Sequence, residues 1–144
     1  MTSLLLTFPG TPAGEAHGIA LTNFRVATDV DGHNSAKPAI RIQGTKGEIQ
    51  VDGPAYRPTH YRIIPKGDGS GSPNVKEVDC PIPGHGMFWE ADEAGRCLRD
   101  GKQESEGLPW EESIVIMETM DQVRKQNGLV YPKKIETTDY PVEL

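Results

Sequence analysis

Cysteine, long apolar runs and basic clusters are all scarce in this chain. Only two of its 144 residues are cysteines, Cys80 and Cys97. Two thiols are too few for a disulfide framework or a cysteine metal cage, so we expect two reduced, partly buried thiols in a cytoplasmic protein. The longest apolar run is the three leucines of residues 4–6, whereas a membrane span needs about 20 apolar residues. No charged segment precedes that run as it would in a signal peptide, so we expect no membrane partner.

The charge balance argues against a nucleic-acid partner. The sequence has 15 basic and 21 acidic residues, a formal net charge of −6. No cluster of lysine and arginine forms the stripe that would follow a phosphate backbone. The four histidines are scattered and none is paired at a metal-ligand spacing, so we expect no metal site.

The first two thirds of the sequence predict strands. Short alternating or apolar segments recur between glycine and proline turns at residues 3–8, 17–29, 39–43, 47–51, 60–64 and 75–82. The GTKG at residues 44–47 predicts a hairpin turn between two of them. In that pair Ile40, Ile42, Ile49 and Val51 are expected to point inward. Such spacing favours a mainly antiparallel sheet.

The last third predicts two helices. One begins at Phe88 and ends before Gly101, with acidic residues early and basic residues late, as the helix dipole favours. The other spans residues 109–127, with proline at its first position and Gly128 after its end. Residues 129–131 add one short strand or extended segment. The predicted class is α+β: a mainly antiparallel open sheet with helices packed on one face.

Two stretches resemble catalytic or cofactor motifs but are better explained as loops. The glycine-rich GDGSGS at residues 67–72 joins two strand-like segments, whereas a dinucleotide loop joins a strand to a helix. Asp31, His33 and Ser35 crowd a turn-like segment where such residues are expected without a function. The residues therefore provide no self-contained catalytic set and no metal or cofactor site.

Four side chains are candidates for lining a pocket: Tyr56, His85, Phe88 and Trp89. Tyr56 sits in a turn between strands, where an aromatic ring is not needed for packing. His85 lies just before a helix and close to two aromatic residues, although a loop histidine with a solvated ring is the favoured explanation. Phe88 and Trp89 are residue types found more often in a core than in a pocket.

Longer stretches carry a specific family resemblance. The segments IRIQGTKGEIQV and GPAYRPTHYRIIP, followed by GHGMFWEADEAGRCLRDGKQESEGLPW, resemble the C-terminal domain of the Gfo/Idh/MocA oxidoreductases. Within that family the resemblance is strongest to the branch of the dimeric dihydrodiol dehydrogenases and NADP-dependent D-xylose dehydrogenases. It covers essentially the whole chain.

The resemblance implies that residues 1–144 form a single C-terminal domain, truncated at its N-terminus, for substrate binding and dimerisation. In this family NADP or NAD is held by an N-terminal Rossmann domain, which this chain lacks. The catalytic lysine of the family's E-K-P motif belongs to that domain, and the Lys37-Pro38 pair does not match the motif. The family's catalytic tyrosine or histidine, early in the second domain, is also missing. We therefore expect the chain alone to bind no cofactor and to be inactive.

The same resemblance places Tyr56, His85, Phe88 and Trp89 toward a sugar or diol substrate. It also implies a homodimer that forms through the open sheet. The alternative is a free-standing, non-enzymatic homodimeric scaffold or regulatory module derived from that domain.

Overall fold

The computed structural model describes residues 1–12, 14–27, 30–33, 35, 38–69, 71 and 74–139. The chain divides into two compact units, Met1–Gly86 and Met87–Leu144. Among the described residues, the strands lie in the first unit and the helices in the second. The predicted α+β class with antiparallel pairing is confirmed, and the strands form two sheets. The packing of helices on a sheet face stays a prediction.

The first sheet is a hairpin of β1 (Thr2–Thr11) and β2 (Gly14–Thr22). Strand β1 continues through the Pro9-Gly10 pair that was expected to end it, with a register shift between Phe8 and Thr11. The prediction of one strand over residues 17–29 is wrong for residues 23–27, and residues 28 and 29 lie outside the described part of the chain. The chain turns after Thr22 because the Asn23 side chain accepts a 2.8 Å hydrogen bond from the Arg25 N–H, an Asx turn.

The second sheet has four antiparallel strands in sequence order: β3 (Ile40–Gly44), β4 (Gly47–Val51), β5 (His60–Pro65) and β6 (Lys76–Asp79). The GTKG hairpin is confirmed, because Gly44 pairs with Gly47. Its last glycine has φ 150°, and a Cβ there would lie 2.3 Å from the Ile64 carbonyl oxygen of the next strand. Only glycine fits that position.

The apolar alternation of β3 and β4 gives the correct face but not the expected burial. Ile40 pairs with Val51 and Ile42 with Ile49, so these four side chains share a face as predicted. Ile42 is nevertheless 57% exposed, and none of the described apolar side chains is buried. The thiol of Cys80 is also exposed rather than partly buried, because it follows the last residue of β6. Alternation determines which residues share a face, not whether another layer covers that face.

The two predicted helices are confirmed as α1 (Phe88–Arg99) and α2 (Trp110–Gln126). Gly101 has φ 68° after α1, and the Lys102 N–H donates to the Cys97 carbonyl at 2.8 Å, which closes the helix as a C′ glycine does. Residues 129–131 form no strand, and a short helix that was not predicted, α3 (Lys133–Glu136), follows them. Among the described helices, none has the length and apolar character needed to cross a membrane.

Candidate functional site

Three strands of the four-stranded sheet bring two loops to the same end of the sheet. Strand β4 ends there, β5 begins there and β6 ends there, since Val51 pairs with Tyr61 and His60 with Asp79. Residues 53–59, which join β4 to β5, are named the Tyr56 loop, and residues 80–86, which follow β6, are named the His85 loop. The Cys80 N–H donates to the Thr59 carbonyl at 2.8 Å, so the pairing of β5 with β6 extends into both loops.

A buried carboxylate lies at the base of the Tyr56 loop. Asp52, the residue after β4, is only 6% exposed. Its Oδ2 lies 2.7 Å from His60 Nδ1, and Arg62 Nη2 donates to both of its carboxylate oxygens at 3.0 Å. The Asp52 N–H also donates to the His60 carbonyl at 3.1 Å. A buried carboxylate is tolerated only with such partners, so the three side chains form one charged unit, here named the Asp52 cluster.

The Asp52 cluster fixes the orientation of an imidazole ring. An ionised carboxylate only accepts hydrogen bonds, so the Nδ1 that faces Asp52 carries a proton. His60 Nε2 points the other way and lies 3.9 Å from Glu77 Oε2 on β6. One imidazole ring therefore lies between the Asp52 carboxylate at the end of β4 and the Glu77 carboxylate on β6.

Sequence reasoning missed the Asp52 cluster, although a signal was present. The alternation that places Glu48 and Gln50 on the polar face of β4 reaches Asp52 two residues later. His60 and Arg62 alternate in the same way on β5, and Arg62 pairs with Gln50. The proximity of Asp52 to His60 depends on how the chain returns after the Tyr56 loop, which the alternation alone does not show.

Arg57 joins the Tyr56 loop to the His85 loop. Its Nη2 donates to the Gly84 carbonyl at 2.6 Å and approaches the Ile82 carbonyl at 3.4 Å. Its main-chain N–H donates to the Pro54 carbonyl at 3.0 Å, which closes the turn that carries Tyr56. Hydrogen bonds from a charged donor are stronger than neutral ones, so Arg57 adds a strong side-chain link to the main-chain bond that already joins Cys80 to Thr59.

The structure places two of the predicted pocket residues on these joined loops. Tyr56 directly precedes Arg57, and its side chain is 89% exposed. His85 directly follows Gly84 and is also exposed. The ring of Tyr56 and the imidazole of His85 are thus presented to solvent beside the contact that joins their loops. An aromatic face and a hydrogen-bonding ring can together bind a small polar ligand.

The other two predicted pocket residues lie in the first turn of α1, in the helical unit. The Phe88 and Trp89 rings are neighbours, with centroids 4.9 Å apart at an interplanar angle of 46°. They are 42% and 48% exposed. Trp89 also borders a cavity of about 640 Å³ between α1 and the segment that follows it, together with Cys97, Leu98 and Leu108.

The polar wall of that cavity is held by the Glu93 carboxylate. Ser105 Oγ donates to Glu93 Oε1 at 2.8 Å, and Arg96 Nη1 donates to Oε2 at 3.0 Å. The hydrogen bond from Ser105 is the larger cause that lowers the pKa of Glu93, and the bond from Arg96 adds to it. Glu104 accepts a 2.6 Å hydrogen bond from the Trp110 N–H at the start of α2. Glu93 thus joins α1 to the segment that follows it, and Glu104 joins that segment to the start of α2.

The possible triad of Asp31, His33 and Ser35 has the geometry of a turn. The hydroxyl of Ser35 donates to the Asp31 carboxylate, and the main-chain N–H of His33 donates to the same carboxylate at 2.9 Å. These are local bonds within five residues, as expected for an Asx turn. Lys37, the basic residue of the rejected Lys37-Pro38 pair, lies outside the described residues, as do Ser70 and Ser72 of the glycine-rich segment.

Curated proteins similar to the chain include dehydrogenases of sugars and diols. The chain is 50% identical over 147 aligned positions to a D-xylose 1-dehydrogenase (NADP(+)) of Hypocrea jecorina, covering 96% of this chain and 35% of that protein. It is 32% identical to the human trans-1,2-dihydrobenzene-1,2-diol dehydrogenase, covering 91% of this chain and 36% of that protein. It is 35% identical to a Bacillus subtilis scyllo-inositol 2-dehydrogenase (NADP(+)), covering 63% of this chain and 26% of that protein.

These matches confirm the family resemblance. The chain belongs to the Gfo/Idh/MocA oxidoreductases, in the branch of the D-xylose and dihydrodiol dehydrogenases. It spans about a third of the length of the first two relatives, 35% and 36%. No family model matches the chain, and no solved structure gives a significant match.

Proposed function

We propose that the chain is the C-terminal, substrate-side domain of an NADP-dependent dehydrogenase that acts on a sugar or diol. The observation that carries this proposal is the 50% identity to the D-xylose 1-dehydrogenase over 96% of the chain. The enzyme oxidises a substrate C–H and O–H pair to a carbonyl group, and NADP accepts the hydride while the hydroxyl proton is released. NAD in place of NADP remains an alternative for the intact enzyme.

The described residues do not fit a dinucleotide site. The glycine-rich segment joins β5 to β6, so it offers no helix N-terminus to a pyrophosphate. We therefore propose that a Rossmann domain outside these residues holds the cofactor, and that the chain alone binds none. The cofactor-binding residues and the catalytic lysine belong to that other domain, the catalytic tyrosine or histidine belongs to an earlier part of the second domain, and this chain contributes pocket residues.

Tyr56 and His85 are the proposed wall of the substrate pocket, with Phe88 and Trp89 as further lining. The exposure of the Tyr56 ring leaves one face free to stack on the C–H surface of a sugar ring. His85 can donate or accept a hydrogen bond with a hydroxyl group.

A homodimer in the cytoplasm completes the proposal. The two free thiols support a cytoplasmic location, because thiols stay reduced there. The open sheet supports a homodimer, because Ile40 and Ile42 on its edge strand β3 are 39% and 57% exposed. Exposed apolar side chains on a sheet favour association with a second copy.

A domain exchange tests the enzymatic proposal. The aligned segment of the Hypocrea jecorina enzyme is replaced by this chain, and NADP reduction by D-xylose is measured for the chimera and for the 144-residue chain alone. We expect turnover by the chimera and none by the chain alone. A folded chimera without turnover would contradict the enzymatic role and favour the scaffold alternative. Turnover by the chain alone would overturn its proposed inactivity.

The pocket residues are tested in the same chimera. Tyr56→Ala is expected to raise the KM for D-xylose about tenfold, the equivalent of roughly 1.4 kcal/mol of lost stacking. Phe24→Ala is the matched control, since Phe24 is an exposed aromatic residue in the turn after β2. An unchanged KM in Tyr56→Ala would contradict a place for Tyr56 in the pocket.

A further inference from the structure

We propose that Arg57 is a positioning residue that sets the distance between Tyr56 and His85 by holding their two loops together. The inference rests on the proposed function, because it assumes that these two side chains face the substrate. It goes further by assigning a role to a residue that is not among the proposed pocket residues.

Among the described residues, Arg57 has the only side chain that forms a hydrogen bond between the Tyr56 loop and the His85 loop. One bond reaches the Gly84 carbonyl at 2.6 Å, and the second, longer contact reaches the Ile82 carbonyl at 3.4 Å. Both carbonyls belong to the main chain of the His85 loop, so Arg57 fixes the path of that backbone rather than one side chain. Gly84 directly precedes His85, which transmits the position to the imidazole.

The Tyr56 loop is itself anchored at its base, which makes Arg57 effective. The Asp52 cluster holds the residue just before the loop to β5 by three hydrogen bonds of 2.7–3.0 Å. The bond from the Arg57 N–H to the Pro54 carbonyl then fixes the turn around Tyr56. Apart from the main-chain bond between Cys80 and Thr59 at its base, the His85 loop has no comparable cluster among the described residues, so the position of its Gly84 end depends on Arg57.

The Arg57 guanidinium is partly buried where it contacts the His85 loop. Arg57 Nε is buried without a hydrogen-bond partner in the described part of the chain. Arg57 Nε therefore loses the hydrogen bond that it would make to water in the unfolded chain, while Nη2 binds the two carbonyls. Burying an unsatisfied donor costs free energy, and the contacts of Nη2 with the His85 loop compensate for it.

The first test measures hydrogen–deuterium exchange in the 144-residue chain. Arg57→Ala is expected to speed exchange about tenfold in peptides from residues 53–59 and 80–86, because one charged hydrogen bond is lost. Exchange in β3 and β4 stays unchanged. Arg57→Lys gives an intermediate value, since an ammonium group can reach one carbonyl but lacks the guanidinium fork. Arg41→Ala is the matched control: it removes an arginine that pairs with Glu48, away from both loops.

The second test uses the chimera and asks whether Arg57 acts through Tyr56. Arg57→Ala is expected to raise the KM for D-xylose about fivefold with kcat little changed, and the Tyr56→Ala/Arg57→Ala double variant is expected to lose less than the two single variants combined, because part of the Arg57 effect acts through Tyr56. Unchanged exchange in the Arg57→Ala loops, or additive effects on KM, overturns the proposal. If instead Tyr56→Ala leaves KM unchanged, the proposed pocket fails, while the exchange experiment still decides whether Arg57 joins the loops.

Discussion

The two ends of strand β4 are built in different ways. At its start, Gly47 closes a hairpin and Glu48 is bound by Arg41 from the neighbouring strand, with Nε–Oε1 and Nη2–Oε2 distances of 2.7 Å. At its end, Asp52 is bound by His60 and Arg62, which follow it by eight and ten residues. Before the start of β4 the chain turns back from β3 within two residues, whereas after the end of β4 it continues into the Tyr56 loop. The same strand thus has one end that serves the sheet and another that positions a candidate site.

The difference lies in what each carboxylate stabilises. Glu48 accepts bonds from Arg41, Gln43 and Gln50, all on the same polar face. Removing this cluster weakens pairing between strands that the hairpin already holds together. Asp52 instead connects the strand to the residues beyond the loop, where no short turn does so. We expect changes at the Asp52 end to alter the loops and changes at the Glu48 end to alter only the sheet.

The largest effect is expected for the glycine at the hairpin end. Gly47→Ala places a Cβ 2.3 Å from the Ile64 carbonyl oxygen and 2.9 Å from Pro65 Cα. The clash with backbone atoms and the strained φ together should lower the free energy of unfolding by about 3–5 kcal/mol. Urea unfolding followed by circular dichroism measures this change.

Gly69→Ala is the control for Gly47→Ala. Its φ is also positive, at 87°, but a Cβ there meets nothing within 4 Å. It should cost about 1 kcal/mol. Equal losses for the two variants would show that the close approach to Ile64 is not what requires glycine at position 47.

A smaller loss is expected at the loop end. Asp52→Ala leaves Arg62 and His60 without their shared partner, and it should lower the free energy of unfolding by about 2–3 kcal/mol. It should also speed hydrogen exchange in the Tyr56 loop, which Gly47→Ala should not do selectively. Asp52→Asn keeps one oxygen as an acceptor and should lose less. A stable Asp52→Ala chain with a protected loop would contradict the anchoring role of the cluster.

The smallest effect on stability is expected for Glu48→Gln, and it is recognised by its dependence on pH. The hydrogen bond from Arg41, followed by that from Gln50, lowers the pKa of Glu48 from 4.5 to about 2. Because the folded pKa lies below the unfolded one, the stabilisation is fully present above pH 4.5 and is lost as the pH falls toward about 2. The difference in urea midpoint between the wild type and Glu48→Gln should therefore be constant above pH 4.5 and shrink below it.

Arg41→Gln separates this effect from other acid-induced changes. Without Arg41, the same Glu48→Gln comparison should vary less between pH 4.5 and 2, because the main cause of the lowered pKa is gone. A midpoint difference that stays constant down to pH 2 would show that Glu48 is not held in its ionised form by its neighbours.

The sequence by itself determined the local elements of this protein. The GTKG turn, the alternation in β3 and β4, and the charges and glycine of α1 were all sufficient, because each depends on residues within a few positions of one another. The family was also readable from the sequence, and the curated relatives confirm it. The sequence did not predict the turn after Thr22 or the short helix α3, because neither segment has a regular spacing of apolar residues.

Only the tertiary structure decided how the candidate site is assembled. Tyr56 and His85 could be selected from the sequence, but the contact between Arg57 and the Gly84 carbonyl spans 27 residues. The pairing of His60 with Asp52 likewise depends on where β5 begins beside β4. Contacts of this kind require the sheet to bring distant strand ends together, and the free energy they contribute depends on burial that no local pattern encodes.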